Sequence, residues 1–242
     1  MIPDLLQRYG RQLLEGLLVT LELVSISIVL GALLAVPLTA ARLSTNRLIG
    51  AIAFGYVYFF RGTPLLAQIF LVYYGVGQFR PALESVGLWG FFRDAFNCAV
   101  LTFTLNTAAY QAEIYRGAIR SVERGQWEAA RALGIGRLPL LYKVVFPQAA
   151  LVALRPLGNE IILMIKGSAV ASIVTVYELM GETRLAFSRS FDLTIYLYAA
   201  LLYLVLVEAI RRLWNRLEAR LTRHIRRDSR QEPTADLAPA TL

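Results

Sequence analysis

The chain has 242 residues, 57% of them hydrophobic and 17% charged, with a mean hydropathy of +0.52. A soluble domain carries about 25% charged residues, so the composition excludes an ordinary soluble protein and predicts an all-α integral membrane protein. One cysteine, Cys98, excludes an internal disulfide framework, one histidine, His224, excludes an imidazole metal cluster, and the net charge of +8 gathers near the C-terminus.

Residues 1–15 carry Arg8 and Arg11 with Asp4 and Glu15, and read as an extracytoplasmic N-terminal segment. The apolar run that follows is longer than a signal-peptide core and lacks a small-residue cleavage pattern, so it reads as a retained span. A membrane helix needs about 17–25 mostly apolar residues. Five segments satisfy this, at about 17–41, 52–76, 95–117, 148–170 and 193–213. The first and last hold one carboxylate each, Glu22 and Glu208. The middle three carry Arg61, then Asn97, Asn106, Gln111 and Glu113, then Asn159, Glu160 and Lys166. Such groups suit helices that line an interior path rather than face lipid. Residues 214–242 form a basic cytoplasmic tail with a disordered end. Eight arginines fall between Arg211 and Arg230. At the end of a membrane span they predict anchoring to anionic lipid, not nucleic-acid binding.

Positive charge orients the chain. Arg42 and Arg47 follow the first span, and Arg116, Arg120, Arg124, Arg131, Arg137 and Lys143 follow the third. The other connectors offset Arg80, Arg93, Arg184 and Arg189 with Glu84, Asp94, Glu178, Glu182 and Asp192. Loops rich in Lys and Arg stay in the cytoplasm, which predicts an outside N-terminus and a cytoplasmic C-terminus.

The third connector contains EAARALGIGRLPLLYKVVFP, from Glu128 to Pro147. WEAARAL is built of helix formers, with Trp127, Ala130 and Leu133 on one face. Gly134 suits the left-handed position that ends a helix. RLPLLYKVVF starts a second short helix with Pro139 in its first turn, and Pro147 ends that helix or kinks it into the fourth span. Such an elbow is either a plain basic loop or a docking surface whose movement tilts spans three and four.

At membrane depth, Arg61 either caps the helix break that Gly62 and Pro64 impose or serves as a gate or interhelical ion pair. Glu113 either pairs with Arg116 three residues on or contacts the elbow. Glu160 lies about 20 Å along the fourth span from Pro147, near mid-membrane. It either lines a polar cavity with Asn159 and holds a cationic group, or pairs with Arg61 or Lys166. Met164, on the same face as Glu160, supplies adaptable apolar contact to a ligand or plain packing.

The pattern E-A-A-x3-G-x9-V-x-F-P resembles the signature of permease subunits of bacterial ABC importers, usually E-A-A-x3-G-x9-I-x-L-P. Glu128, Ala129, Ala130, Gly134 and Pro147 match, whereas Val144 and Phe146 depart conservatively. FRGTPLLAQIFLVYYG (60–75), AAYQAEIYRGAIRSVERGQWEAA (108–130) and NEIILMIKGSAVAS (159–172) resemble the polar amino-acid branch. NEIILMIK is similar to the histidine, arginine, ornithine, lysine and opine permeases. SAVAS stands where many relatives have a TSL-like stretch, and Ala153-Leu154-Arg155-Pro156 stands where they have Leu-Pro.

The resemblance implies a type I ABC importer permease fold over residues 16–213, with a coupling segment at 121–147 that docks on a cytoplasmic ABC ATPase dimer. It also implies a second permease subunit, identical or homologous, and an extracytoplasmic solute-binding protein. The chain itself would bind no cofactor or metal, ATP and Mg residing on the ATPase, and would have no catalytic residues. Neither G-x-x-x-x-G-K-[ST] nor H-E-x-x-H occurs. The expected cargo is a polar, cationic amino acid crossing the bacterial cytoplasmic membrane by alternating access. The rivals are a neutral or acidic amino acid and, from another class, a membrane-embedded hydrolase with Glu113 or Glu160 as base.

Overall fold

The computed structural model describes residues 2–223, and all regular structure among them is helical. The first apolar run lies within α1 (Ile2–Arg42), an unbroken helix of 41 residues. At 1.5 Å per residue it is about 60 Å long, twice the hydrocarbon thickness of roughly 30 Å. The predicted N-terminal segment is therefore continuous with the first span from residue 2 onward. Tyr9 in this extension is buried with Ala186 and Ile195.

Asn46 caps the next helix, α2 (Arg47–Gly62), its Oδ1 accepting from the Leu48 and Ile49 amides at 2.9 and 3.4 Å. The sequence predicts one helix over 52–76, but the chain breaks at Thr63–Pro64. It resumes as α3 (Leu65–Phe70) and a π-turn (Leu71–Gly75), bent by 105° from α2. The cause is local: Pro64 lacks an amide proton and pushes Thr63 to extended angles, φ −111° and ψ 149°. Carbonyls freed by the break are claimed by amides. Gln68 Nε2 donates to Phe60 O at 2.9 Å and to Thr63 Oγ1 at 2.8 Å, and Asn106 Nδ2 donates to Phe60 O at 3.1 Å and Gln68 Oε1 at 2.9 Å. Each buried polar group left unpaired costs about 1–3 kcal/mol. Gln68→Leu is accordingly expected to lower the melting temperature in detergent by about 5 °C or more. Thermal melts of detergent-purified protein check this, and an unchanged value would show the break to be held by other means.

Two short helices, α4 (Arg80–Ser85) and α5 (Trp89–Phe92), lead to α6 (Ala95–Arg120), capped by Asp94. Next come α7 (Arg124–Ala132), α8 (Arg137–Leu140), a π-turn (Leu141–Val145) and α9 (Phe146–Gly167). The chain stays helical from Arg137 to Val174. Of the two readings of Pro147, an end to the helix or a kink into span four, the first does not hold, because the helix runs on through it. The π-turn contains Lys143, the residue whose carbonyl Pro147 cannot engage. Span four tightens into a 3₁₀ stretch (Ser168–Val174), and α10 (Leu179–Ser190) and α11 (Thr194–Leu221) complete the chain. Of the predicted tail at 214–242, residues 214–221 continue α11, and the part beyond residue 223, with its outer arginines, lies outside the described residues.

Among the described residues, three helical segments are long and apolar enough to cross a membrane: Gln7–Arg42, Arg137–Val174 and Thr194–Leu221. The bent pair makes a fourth if counted as one span. The helix at the third predicted span, α6, is long enough at 26 residues but too polar to pass the same test. Its position explains this, because a helix sheathed by other helices need not present oil to lipid. Phe103, Ala108, Ala109 and Ala112 are fully buried on α6, as is Ala35 on α1. Small residues let the two backbones close in. At Gly31 a Cβ atom would lie 2.3 Å from the Thr107 methyl, so α1 can cross α6 there only with glycine.

Glu178, which the sequence places among exposed loop charges, is fully buried. Its carboxylate caps α10, accepting from the Met180 and Gly181 amides at 3.0 and 2.9 Å and from the Tyr203 hydroxyl at 2.7 Å. Glu178 thus fixes α10 and α11 together.

Candidate functional site

Two regions combine polar chemistry with a constrained geometry, and both involve α6 and α9. The first lies where these helices face each other inside the bundle. Glu160 of α9 is buried, with 6% of its surface exposed, and its Oε1 accepts from the Thr107 hydroxyl of α6 at 2.8 Å. Among the described residues no donor is bonded to Oε2. Behind Thr107, Gln111 Nε2 donates to Thr107 Oγ1 and to the Ile28 carbonyl of α1, both at 3.2 Å, and the Tyr115 hydroxyl donates to Gln111 Oε1 at 3.1 Å. Arg61, at the end of α2, lies over the Tyr110 ring at 5.2 Å and is near enough to Glu160 for their charges to attract.

The other predicted path residues diverge. Asn159 is adjacent to Glu160 in sequence but about 100° round the helix. It lines a cleft of ≈ 450 Å³ between α9 and α11 with Arg155, Trp214 and Glu218. There Gly158 makes room for the indole, whose Nε1 donates to the Leu154 carbonyl at 2.8 Å, and Arg155 pairs with Glu218 at 2.7 Å. Met164 is buried in the apolar core with Leu23, Phe103 and Ile165, where it packs. Lys166 is exposed in the last turn of α9, and the lysine–glutamate pair weighed from sequence does not form. Among the described residues the Arg61–Glu160 ion pair weighed from sequence does not form either: Arg61 sits over Tyr110, and the hydrogen-bond partner of Glu160 is Thr107.

Thr107 and Gln111 are the site residues that sequence reasoning underused. Their signal was present as Thr107-x3-Gln111-x3-Tyr115, a stripe at fourfold spacing that places all three on one face. Glu113, on another face of α6, is clamped. It accepts from Arg116 Nε at 2.9–3.0 Å, as the i,i+3 reading expects, and from Arg42 Nε of α1 at 2.9 Å, which sequence did not indicate. A carboxylate held between two guanidinium groups is no free base, which removes Glu113, one of the two candidate bases of the hydrolase reading.

The second region is the elbow. Gly134 adopts φ +69°, the left-handed conformation expected of it. The Ile135 amide donates to Ala130 O at 2.9 Å and the Gly134 amide to Arg131 O at 3.0 Å, the paired bonds of a Schellman helix end. Ala130 and half-buried Trp127 turn inward onto Val122, Leu140 and Val145, so the elbow has a small core of its own. Leu133 does not share that face as predicted: it is 77% exposed, as the residue that caps α7. Glu128, Ala129 and Pro147 are also exposed, and Leu138 is 73% exposed. Both ends of the elbow run directly into the helices that meet at Thr107 and Glu160, about 20 Å away along each.

A family model described as "Binding-protein-dependent transport system inner membrane component" matches residues 27–223. The nopaline transport system permease protein NocM of Agrobacterium fabrum is 43% identical over 216 residues, 89% of this chain and 90% of that one. The histidine/lysine/arginine/ornithine transport system permease protein HisM of Salmonella typhimurium is 37% identical over 230 residues, covering 92% and 98%. A solved structure titled as an amino acid ABC transporter with histidines superposes with a TM-score of 0.80 at 31% identity, covering 89% of this chain and 96% of that chain. A MetNI methionine ABC transporter structure, with a TM-score of 0.73 and 19% identity over 89% and 98% of the two chains, shares the fold.

Proposed function

This chain belongs to the family of binding-protein-dependent transport system inner membrane components, and from that premise we propose that it carries cationic amino acids or opines through a polar path centred on Glu160. As an ABC importer permease it is not an enzyme, and ATP is hydrolysed on a separate subunit. Its relatives are named for nopaline and for histidine, lysine, arginine and ornithine. Most of these compounds present a guanidinium or ammonium group. The observation that carries the reading is the Glu160 carboxylate, buried with one oxygen held by Thr107 and the other unclaimed by any described donor. A carboxylate kept at membrane depth without a bound partner is costly, which a visiting cation relieves.

The path is built from five spans, with α6 enclosed at the centre and the bent pair α2–α3 counted as one. The N-terminus is outside and the C-terminus cytoplasmic, which the arginine-rich connectors support. A second permease subunit completes the enclosure, a solute-binding protein delivers cargo from outside, and the ATPase docks at the elbow on Glu128, Ala129, Gly134 and Pro147, while Ala130, buried in the elbow core, holds that surface in shape. Leu133 and Leu138 beside them offer the apolar surface for that contact. Because the elbow continues into both α6 and α9, closure of the ATPase dimer turns both walls of the Thr107–Glu160 contact at once, alternating access around it.

Reconstitution with ATPase and binding protein tests this reading. Arginine uptake is expected to require ATP and to be inhibited by excess lysine or ornithine but not glutamate. ATP-independent uptake, or equal competition by glutamate, overturns it. Orientation is checked with Arg131→Cys, because Cys98 is fully buried and gives little background. An impermeant thiol reagent is expected to label the elbow in inside-out vesicles and not in intact cells. The reverse result sinks the topology.

A further inference from the structure

We propose that Thr107 is a positioning residue that sets preference for cationic cargo by fixing the rotamer of Glu160, through a one-way hydrogen-bond relay running from Tyr115. The inference rests on the reading of Glu160 given above.

The direction of the relay follows from donor counting. The Ile28 carbonyl can only accept, so the Gln111 side-chain nitrogen must face it, and that same nitrogen lies 3.2 Å from Thr107 Oγ1. With the amide oriented that way, its oxygen is left to accept from the Tyr115 hydroxyl at 3.1 Å. Thr107 oxygen accepts from Gln111, so its single proton is free to go elsewhere, and it goes to Glu160 Oε1 at 2.8 Å. A threonine in a helix commonly spends that proton on the carbonyl four residues back. Thr39 and Thr102 do so, at 2.7 Å each. Thr107 is turned from that habit by two constraints on its β-carbon. Its hydroxyl is engaged by Gln111, and its methyl is seated against Gly31, where there is no room for a side chain. A branched side chain held at both branches has one rotamer.

Glu160 is thereby held by one oxygen from behind, which directs the other toward whatever enters the path. A hydrogen bond to an ionised acceptor is stronger than one between neutral groups. It therefore orients the carboxylate. The ligand consistent with this arrangement is a guanidinium or ammonium group, which can donate to the exposed oxygen. A neutral ureido group of the same shape draws much less from it.

The experiment compares ATP-driven uptake of arginine and of citrulline, its neutral isostere, by the reconstituted importer carrying Thr107→Val, Thr107→Ser, Glu160→Gln and the Thr107→Val/Glu160→Gln pair. Thr107→Val keeps shape and removes the donor. It is expected to raise the KM for arginine by about tenfold, the order of one hydrogen bond to a charged group, with ATP hydrolysis and citrulline uptake near their original values. Thr107→Ser restores the hydroxyl and is expected to return the arginine KM to within about twofold. In the Glu160→Gln background, Thr107→Val is expected to add nothing, because a positioning residue acts only through the group it positions. Equal loss of both substrates with no rescue by serine would assign Thr107 to packing and overturn the inference. So would an unchanged arginine KM in Thr107→Val beside a lost preference in Glu160→Gln, which leaves the parent reading standing. Unchanged preference in Glu160→Gln fells both.

Discussion

Gly134→Val is expected to lower ATP-driven uptake on the order of 10–100-fold while leaving the chain inserted and folded. The argument starts from one torsion. Gly134 is at φ +69°, where a β-branched residue is a steric outlier. Strain at such a position is about 1–3 kcal/mol, and 1.4 kcal/mol is tenfold in a population. A Cβ added at Gly134 meets nothing within 4 Å, so the penalty is torsional and no neighbour is displaced. The backbone relieves it by leaving the left-handed region, which breaks the Ile135–Ala130 and Gly134–Arg131 bonds and lets the exit from α7 swing free. Leu133 and Leu138 then no longer share one rigid surface. The elbow core of Val122, Ala130, Leu140 and Val145 lies on the inner side and keeps α6 and α9 in place. Uptake and ATP hydrolysis measured in the same proteoliposomes check this: hydrolysis continues near its basal rate while transport is lost. Gly134→Asn, which tolerates the left-handed region, is expected to retain most uptake. Full transport by the valine variant would separate the Schellman end from coupling.

What the sequence made legible and what it hid divide along a physical line. Chemistry carried by residue type and local spacing was readable. Gly134 as a left-handed helix end, the apolar runs of α1, α9 and α11, and the weakness at Gly62–Pro64 all follow from short-range rules. Which helix crosses which was not readable, and the partners of the buried polar groups depend on it. Nothing in the spacing of Gln68 and Asn106 says that together they take up the carbonyls of a 105° break. Glu160 was sought a partner among charged residues, Arg61 and Lys166. The bundle supplied the neutral Thr107, because the Gly31 crossing sets the face that α6 turns to α9. The same logic misplaced Asn159, whereas Met164 took the packing role that was one of its two readings. A helix presents each residue to a different neighbour, and adjacency in sequence to Glu160 puts Asn159 against α11 instead. Pro147 left an end and a kink both open, and the structure decides between them: a π-turn ending two residues earlier absorbs the missing donor and leaves span four continuous with the elbow. That continuity joins the elbow and Glu160 in one helical stretch.

The second large effect is expected from Glu160→Gln: arginine uptake falls about 10–100-fold in kcat/KM, and citrulline uptake changes by less than about threefold. Gln is nearly isosteric with Glu, and its side-chain oxygen can still accept from Thr107, so the contact between α6 and α9 survives and the fold does not pay for the substitution. What disappears is the charge. Hydrogen bonds to ionised groups contribute about 1.5–3 kcal/mol against about 1 kcal/mol for neutral ones, and the difference grows where water is scarce. Arg61 sharpens the expectation. With the carboxylate present, the Arg61 charge and Glu160 attract, and an incoming cation must compete with that attraction. With glutamine present, the Arg61 charge is no longer offset by Glu160 and disfavours a cationic cargo. Loss of attraction and gain of repulsion act in the same direction on arginine and leave a neutral analogue nearly untouched. Competition assays at fixed ATP, with arginine and citrulline in the same vesicles, read the ratio directly and cancel differences in reconstitution. A ratio that stays at its original value would show that cargo selection occurs before the membrane path, on the solute-binding protein. In that case the buried carboxylate serves only to join α9 to α6.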